Sequence, residues 1–120
     1  MRLPQKDPLT IEQAAQVLFQ SFSKSDEEYI RREKEVPYHF ASGMSVRNEW
    51  KLWEKDSPLK LDAIKRYGLA HADDISGLIF EWAFAKVRDQ PFDPLKHAEQ
   101  YHKHWKKLGT TSIKAGGGEE

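Results

Sequence analysis

Asp73-Asp74-Ile75-Ser76-Gly77-Leu78-Ile79-Phe80-Glu81-Trp82-Ala83-Phe84-Ala85-Lys86-Val87-Arg88 reads as a helix with almost no polar face. At 3.6 residues per turn, Ile75, Leu78, Ile79, Phe80, Trp82, Phe84 and Val87 spread round nearly the whole circumference. A helix that is apolar all round belongs at the centre of a protein. Asp74, Glu81 and Arg88 recur at steps of seven and mark one narrow polar edge, and Gly77 and Ala85 leave room for another helix to approach. One buried helix must be covered by others, and the remaining segments must supply apolar stripes to do so.

Thr10-Ile11-Glu12-Gln13 is a capping box opening a helix whose stripe is Ile11, Ala14, Ala15, Leu18 and Phe22. Ser25-Asp26-Glu27-Glu28 is a second box, starting a short charged helix that buries little beyond Tyr29 and Ile30 and stops before Pro37. In residues 38–53, His39, Gly43, Val46, Trp50 and Trp53 recur at steps of four, three, four and three, flanked by Phe40, Met44 and Arg47. That spacing predicts a third helix packed against the central one. Ser57-Pro58 and Gly68 bracket a short amphipathic helix with Leu59, Ala63, Ile64 and Tyr67 inward. Asp93-Pro94 and Gly109 bracket a last one with Leu95, Ala98, Tyr101, Trp105 and Leu108 on one stripe. With no strand pattern and no internal repeat, the expected fold is all-α, a compact single-domain bundle of about six helices with its central apolar helix near 73–88. Residues 1–8 read as an extended arm, 9–109 as the domain and the glycine-rich 110–120 as a disordered tail.

At 120 residues the chain is long enough to bury a core without staples. Nineteen basic residues balance nineteen acidic ones, which is not the field of a dedicated nucleic-acid binder. Cysteine is absent, so disulfides, thiolate metal sites and a Cys nucleophile are excluded. No apolar run approaches the roughly 20 residues of a membrane span, and the start lacks the apolar core of a signal peptide. The expectation is a cytoplasmic protein that engages neither membrane nor nucleic acid, in an oligomeric state that composition leaves open. Lysines near the end of the chain and the acidic run 26–28 are explained by complementing helix dipoles.

Two stretches carry the distinctive residues. His39, Phe40, Gly43, Met44, Arg47, Asn48, Trp50, Leu52 and Trp53 are followed by His71, Asp73, Asp74 and Ser76. Together they resemble the signature of a bacterial and phage family, the domain of unknown function number sixty-seven ninety-four, over roughly residues 9–88. Ala72 stands where that family usually has Pro, and Ala41-Ser42 where it has Gly-Leu. Losing the Pro should leave the Asp pair able to cap the central helix. The resemblance implies no activity, cofactor or catalytic residue, and the last helix lies beyond it.

If the motif helix touches the central helix, His39, Arg47, Asn48, His71, Asp73, Asp74 and Ser76 converge. Buried ionisable groups are costly unless paired. The first reading is therefore a structural network, with Asp73 as helix cap, an Asp carboxylate forking onto Arg47, and Asn48 and His39 satisfying loop backbone. The alternative is a pocket in which Arg47 binds an anion beside His39 or His71 as acid or base, in a small-molecule-binding protein or an enzyme. No phosphate loop, nucleophile elbow or zinc-protease motif is present. His97 and His104 lie two turns apart, about 10 Å, too far to share an ion, and the His-Lys face reads as solvated; no metal or other cofactor is expected. Trp50, Trp53 and Trp105 are candidate interface aromatics, because four Trp exceed the ordinary need of so small a core. These readings favour a non-enzymatic interaction or regulatory module whose partner is another protein, such as an inhibitor or immunity-like adaptor.

Overall fold

The computed structural model of the chain describes residues 8–36, 50, 52 and 57–116. Among these the elements are α1 (Ile11–Ser21), α2 (Lys24–Arg32), α3 (Pro58–Tyr67), α4 (Ala72–Val87), α5 (Pro94–Lys107) and the single turn α6 (Ser112–Ala115), with no strand. The fold is all-α, as the periodicities require. No helix among the described residues is long and apolar enough to cross a membrane.

The central position of α4 follows from its composition. Ile75, Leu78, Ile79 and Phe80 are wholly buried, and the helix packs most extensively on α1 while also touching α2, α3 and α5. Each such side chain contributes about 1.5–3 kcal/mol by leaving water. From the other side α1 supplies Ile11, Ala14 and Leu18, α2 supplies Ile30, and α3 supplies Leu59 and Ala63. Of the 38–53 motif, Trp50 and Leu52 are described, and both join this core. His39, Phe40, Gly43, Met44, Arg47, Asn48 and Trp53, and with them the expected motif helix, lie outside the described residues.

Local capping chemistry sets most boundaries. Thr10 Oγ1 accepts from Gln13 N at 3.1 Å, but Gln13 Oε1 reaches back to Leu9 N at 3.0 Å, one residue further than the usual reciprocal bond. A second orphan donor, Ile11 N, is satisfied at 2.8 Å by Asp62 Oδ2 of α3. Thr10→Ala should therefore lower the unfolding free energy by about 1 kcal/mol, read as a shifted urea midpoint at unchanged slope, while Thr10→Ser stays close to wild type. Gly68, at φ 67°, ends α3 in the left-handed region, and Asp93 Oδ1 accepts from Leu95 N and Lys96 N to open α5.

Four local expectations are corrected. The box of α2 is Ser23 with Asp26, not Ser25 with Glu28: Ser23 Oγ accepts from Asp26 N at 3.1 Å and Asp26 Oδ2 from Ser23 N at 2.9 Å. Starting two residues earlier adds half a turn and still buries Ile30. The central helix begins at Ala72, so Asp73 is already inside its first turn and His71 is the cap, its Nδ1 accepting from Asp73 N at 3.2 Å. Leu95 and Leu108, the two ends of the α5 stripe, are exposed, because Ala98 alone in that helix is fully buried.

The fourth correction concerns residues 110–116, which are not a disordered tail. Thr111 Oγ1 caps α6 by accepting from Lys114 N, Ser112 is completely buried, and Lys60 Nζ donates to Gly116 O at 2.8 Å. Burial pushes the Lys60 ammonium below its ordinary value of 10.5. Gly116 is pressed onto the α3–α4 connection so closely that an added Cβ would lie 2.3 Å from Ala70 C and 2.4 Å from His71 N. Main chain cannot yield as a flexible side chain could. Gly116→Ala should consequently release the α6 turn, with amide exchange rising over 111–116 and unchanged in α1; equal protection in both proteins would contradict this docking.

Candidate functional site

The His71-Ala72-Asp73-Asp74-Ile75-Ser76 segment lies where the α3–α4 connection enters the core, and α5 and α6 close over it. Asp74 is only 6% exposed, and its Oδ2 accepts from Trp105 Nε1 at 2.7 Å and from Ser112 Oγ at 2.8 Å. Ser112 Oγ in turn accepts from the main-chain N–H groups of Ala70, at 3.1 Å, and His71, at 3.3 Å. Ser76 is wholly buried and its hydroxyl donates to Asp73 O at 3.1 Å. Asp73 is exposed at the surface, its carboxylate 3.9 Å from His71 Nδ1. Trp105 lies between two imidazoles, 5.3 Å from the ring of His71 and 4.9 Å from that of His104.

A Ser, a His and an Asp are thus brought together, but not as a nucleophilic triad. Such a triad needs the serine hydroxyl to give its proton to an imidazole nitrogen that the carboxylate orients from the other side. Here Ser112 gives its proton to Asp74, two amide donors occupy its oxygen, and it meets His71 through the main chain. The Nδ1 of His71 accepts the capping bond, which places the ring proton on Nε2. The arrangement does what a buried polar network does: it satisfies the start of α4 and ties α5 and α6 to it. No three His, Asp or Glu side chains gather as metal ligands among the described residues.

Of the candidate interface aromatics, Trp53 lies outside the described residues, and the structure places the other two as follows. Trp50 is 2% exposed, and its indole N–H has no acceptor among the described residues. Trp105 is half-buried with its N–H committed to Asp74. The His-Lys face of α5 is likewise not simply solvated. His102 Nε2 contacts Tyr67 O at 2.9 Å, and His97 lies in an aromatic ladder, 5.3 Å from both Phe92 and Tyr101, with Trp82 stacked on Phe92 at 5.7 Å.

Burial lowers the pKa of His97 from its ordinary 6.5. The unfolded chain therefore binds the proton more readily than the folded one, so the contribution of this ladder is complete above about pH 6.5 and declines as pH falls through the folded value. Melting curves between neutral and mildly acidic pH should show that decline in wild type and a smaller one in His97→Gln.

Two residues that the motif reading missed act at the opposite end of α4. Arg88 Nε donates to Ile30 O at 3.0 Å and its Nη2 to Glu33 O at 2.7 Å, while Arg31 Nε donates to Val87 O at 3.1 Å. Each arginine caps the C-terminal carbonyls of the other's helix, where the macrodipole is negative. The only hint in the sequence was the position of a cation near each helix end. Around them lies an open cleft of about 610 Å³ lined by Arg31, Arg32, Lys34 and Arg88 together with Glu33, Asp89 and Gln90.

The family model for the domain of unknown function DUF6794 matches residues 7–86. The chain belongs to the DUF6794 family. The match to DUF6794 runs from the N-terminal flank of α1 almost to the end of α4, so Trp105 and Ser112, the partners of Asp74, come from beyond the matched segment. No curated protein and no solved structure matches the chain.

Proposed function

We propose that this DUF6794 chain acts by binding another protein rather than by turning over a substrate. The observation that carries the reading is the commitment of Asp74 and Ser112 to the Trp105 indole and two backbone amides, which leaves the most suggestive polar cluster with structural work to do. The charge balance supports the same conclusion, since it supplies no overall attraction for nucleic acid. A small single domain of this kind suits a regulatory role exerted by occupying a surface of its target, in the manner of an inhibitor or immunity-like adaptor of bacterial or phage origin, working in the cytoplasm.

The test is reconstitution. A partner identified by cross-linking in the source cell should form a stoichiometric complex with the purified chain in titration calorimetry. The reading would be overturned by a metabolite that raises the melting temperature of wild type and loses that effect in a folded His71→Ala variant. That result would instead favour the ligand pocket around His39, Arg47, His71 and Asp74.

A further inference from the structure

We infer that the cleft between the C-terminal ends of α2 and α4 is a docking site for an acidic protein segment, an inference that rests on the protein-binding reading above. Four cations line it, Arg31, Arg32, Lys34 and Arg88, against the two carboxylates of Glu33 and Asp89. Two of the four are held rather than waving in solvent. The Nε and Nη2 bonds of Arg88 to main-chain carbonyls fix its guanidinium plane, and the Nε bond of Arg31 to Val87 O anchors the second guanidinium beside it. A guanidinium has five N–H donors in a rigid fork, so these bonds leave donor capacity on each, already oriented. An oriented fork accepts a carboxylate bidentately at little further loss of side-chain freedom.

The other two cations are available to steer. Lys34 is exposed and forms no ion pair among the described residues, and Arg32 meets Glu33 at 3.4 Å with both side chains well exposed, a contact of little strength. The anions on the rim decide the class of occupant. Glu33 and Asp89 break up the positive field, which disfavours the closely and evenly spaced phosphates of a nucleic-acid backbone. Spaced carboxylates, alternating with neutral or donor groups, can instead meet the arginines while avoiding those two positions. The cleft is polar and open, which fits an extended segment laid across it better than an enclosed small ligand.

The probe is a fluorescent peptide of alternating Glu and Gly, followed by anisotropy at low and at physiological ionic strength. Binding should be present at low salt, weaken as salt rises, and fall about tenfold or more in Arg32→Glu with Lys34→Glu. Neither substitution touches the carbonyl-capping arginines, so the fold is expected to persist, as circular dichroism and melting would verify. Asp89→Asn should tighten binding about twofold to fivefold, the range of one exposed charge contact; asparagine tolerates the left-handed backbone at this position, φ 53°. Four results would each overturn the proposal: no binding of the peptide at low salt; equal affinity in the double variant; tighter binding of a fluorescent oligonucleotide that the same variant loses; or self-association in sedimentation that the same variant abolishes. If a reconstituted partner complex forms but is indifferent to the double variant, the cleft assignment falls while the protein-binding reading stands.

Discussion

Phe84→Ala should lower the free energy of unfolding by about 3–5 kcal/mol. Phe84 is 1% exposed, with its ring centroid 6.1 Å from that of Phe22 and 5.9 Å from that of Phe80. Phe22 closes the end of α1 while Phe80 and Phe84 belong to α4, so the stack joins the two helices that pack most extensively. Truncation removes the transfer free energy of the ring and leaves a cavity. The cavity cannot collapse freely, because the start of α1 is tied to α3 by Asp62 on Ile11 N. For a domain whose total stability is about 5–15 kcal/mol, such a loss takes a large share. Denaturant unfolding of the two proteins measures it, and a loss under about 1 kcal/mol would mean that this stack is not part of the core.

The second large effect belongs to Asp74. Hydrogen bonds to a charged group contribute about 1.5–3 kcal/mol each, and a buried donor left without its acceptor adds a penalty. Asp74→Ala removes the common acceptor of the Trp105 indole and the Ser112 hydroxyl. Adding these contributions would overstate the net loss, because α5 and α6 can lift away and let water satisfy the orphaned donors. The expected loss is therefore about 2–4 kcal/mol, accompanied by faster amide exchange from Trp105 to Gly116. Ser112→Ala should reproduce much of it, and the double variant should cost less than the sum, since both act on one network. Wild-type stability and exchange in Asp74→Ala would show that the network contributes nothing.

These two substitutions sit on different kinds of information. Phe84 was legible as core because α4 is apolar round its circumference, and the partners needed no naming for that conclusion to hold. Asp74 was legible as one member of a polar edge, yet only part of that edge faces water. Its first member is buried under Trp105 and Ser112, and its last, Arg88, reaches over to the carbonyls of α2. A step of seven reports that residues share a helix face; it does not report what covers that face. The same limit explains α5, where periodicity placed Leu95 and Leu108 on the inner stripe and the helix instead buries its middle alone. It also explains the misread end of the chain. Glycine and small polar residues argue for disorder by composition, but Gly116 is there because only a residue without Cβ can lie against Ala70.

The all-α class, the central helix and the termini at Thr10, Gly68, Asp93 and Gly109 could be read directly from the chain. Each rests on contacts between residues three or four apart, or on one residue's backbone preference, and those are written in consecutive letters. The partners of Asp74, the docking of α6 onto the α3–α4 connection and the exchange of arginines between α2 and α4 came from the fold. They join residues 31 to 58 positions apart, and no local periodicity encodes which distant donor arrives at a given carbonyl or carboxylate. Packing of the helices around α4 selects those pairs, and with them it turns a suggestive Ser, His and Asp into a lock and two ordinary helix-end arginines into the rim of a charged cleft.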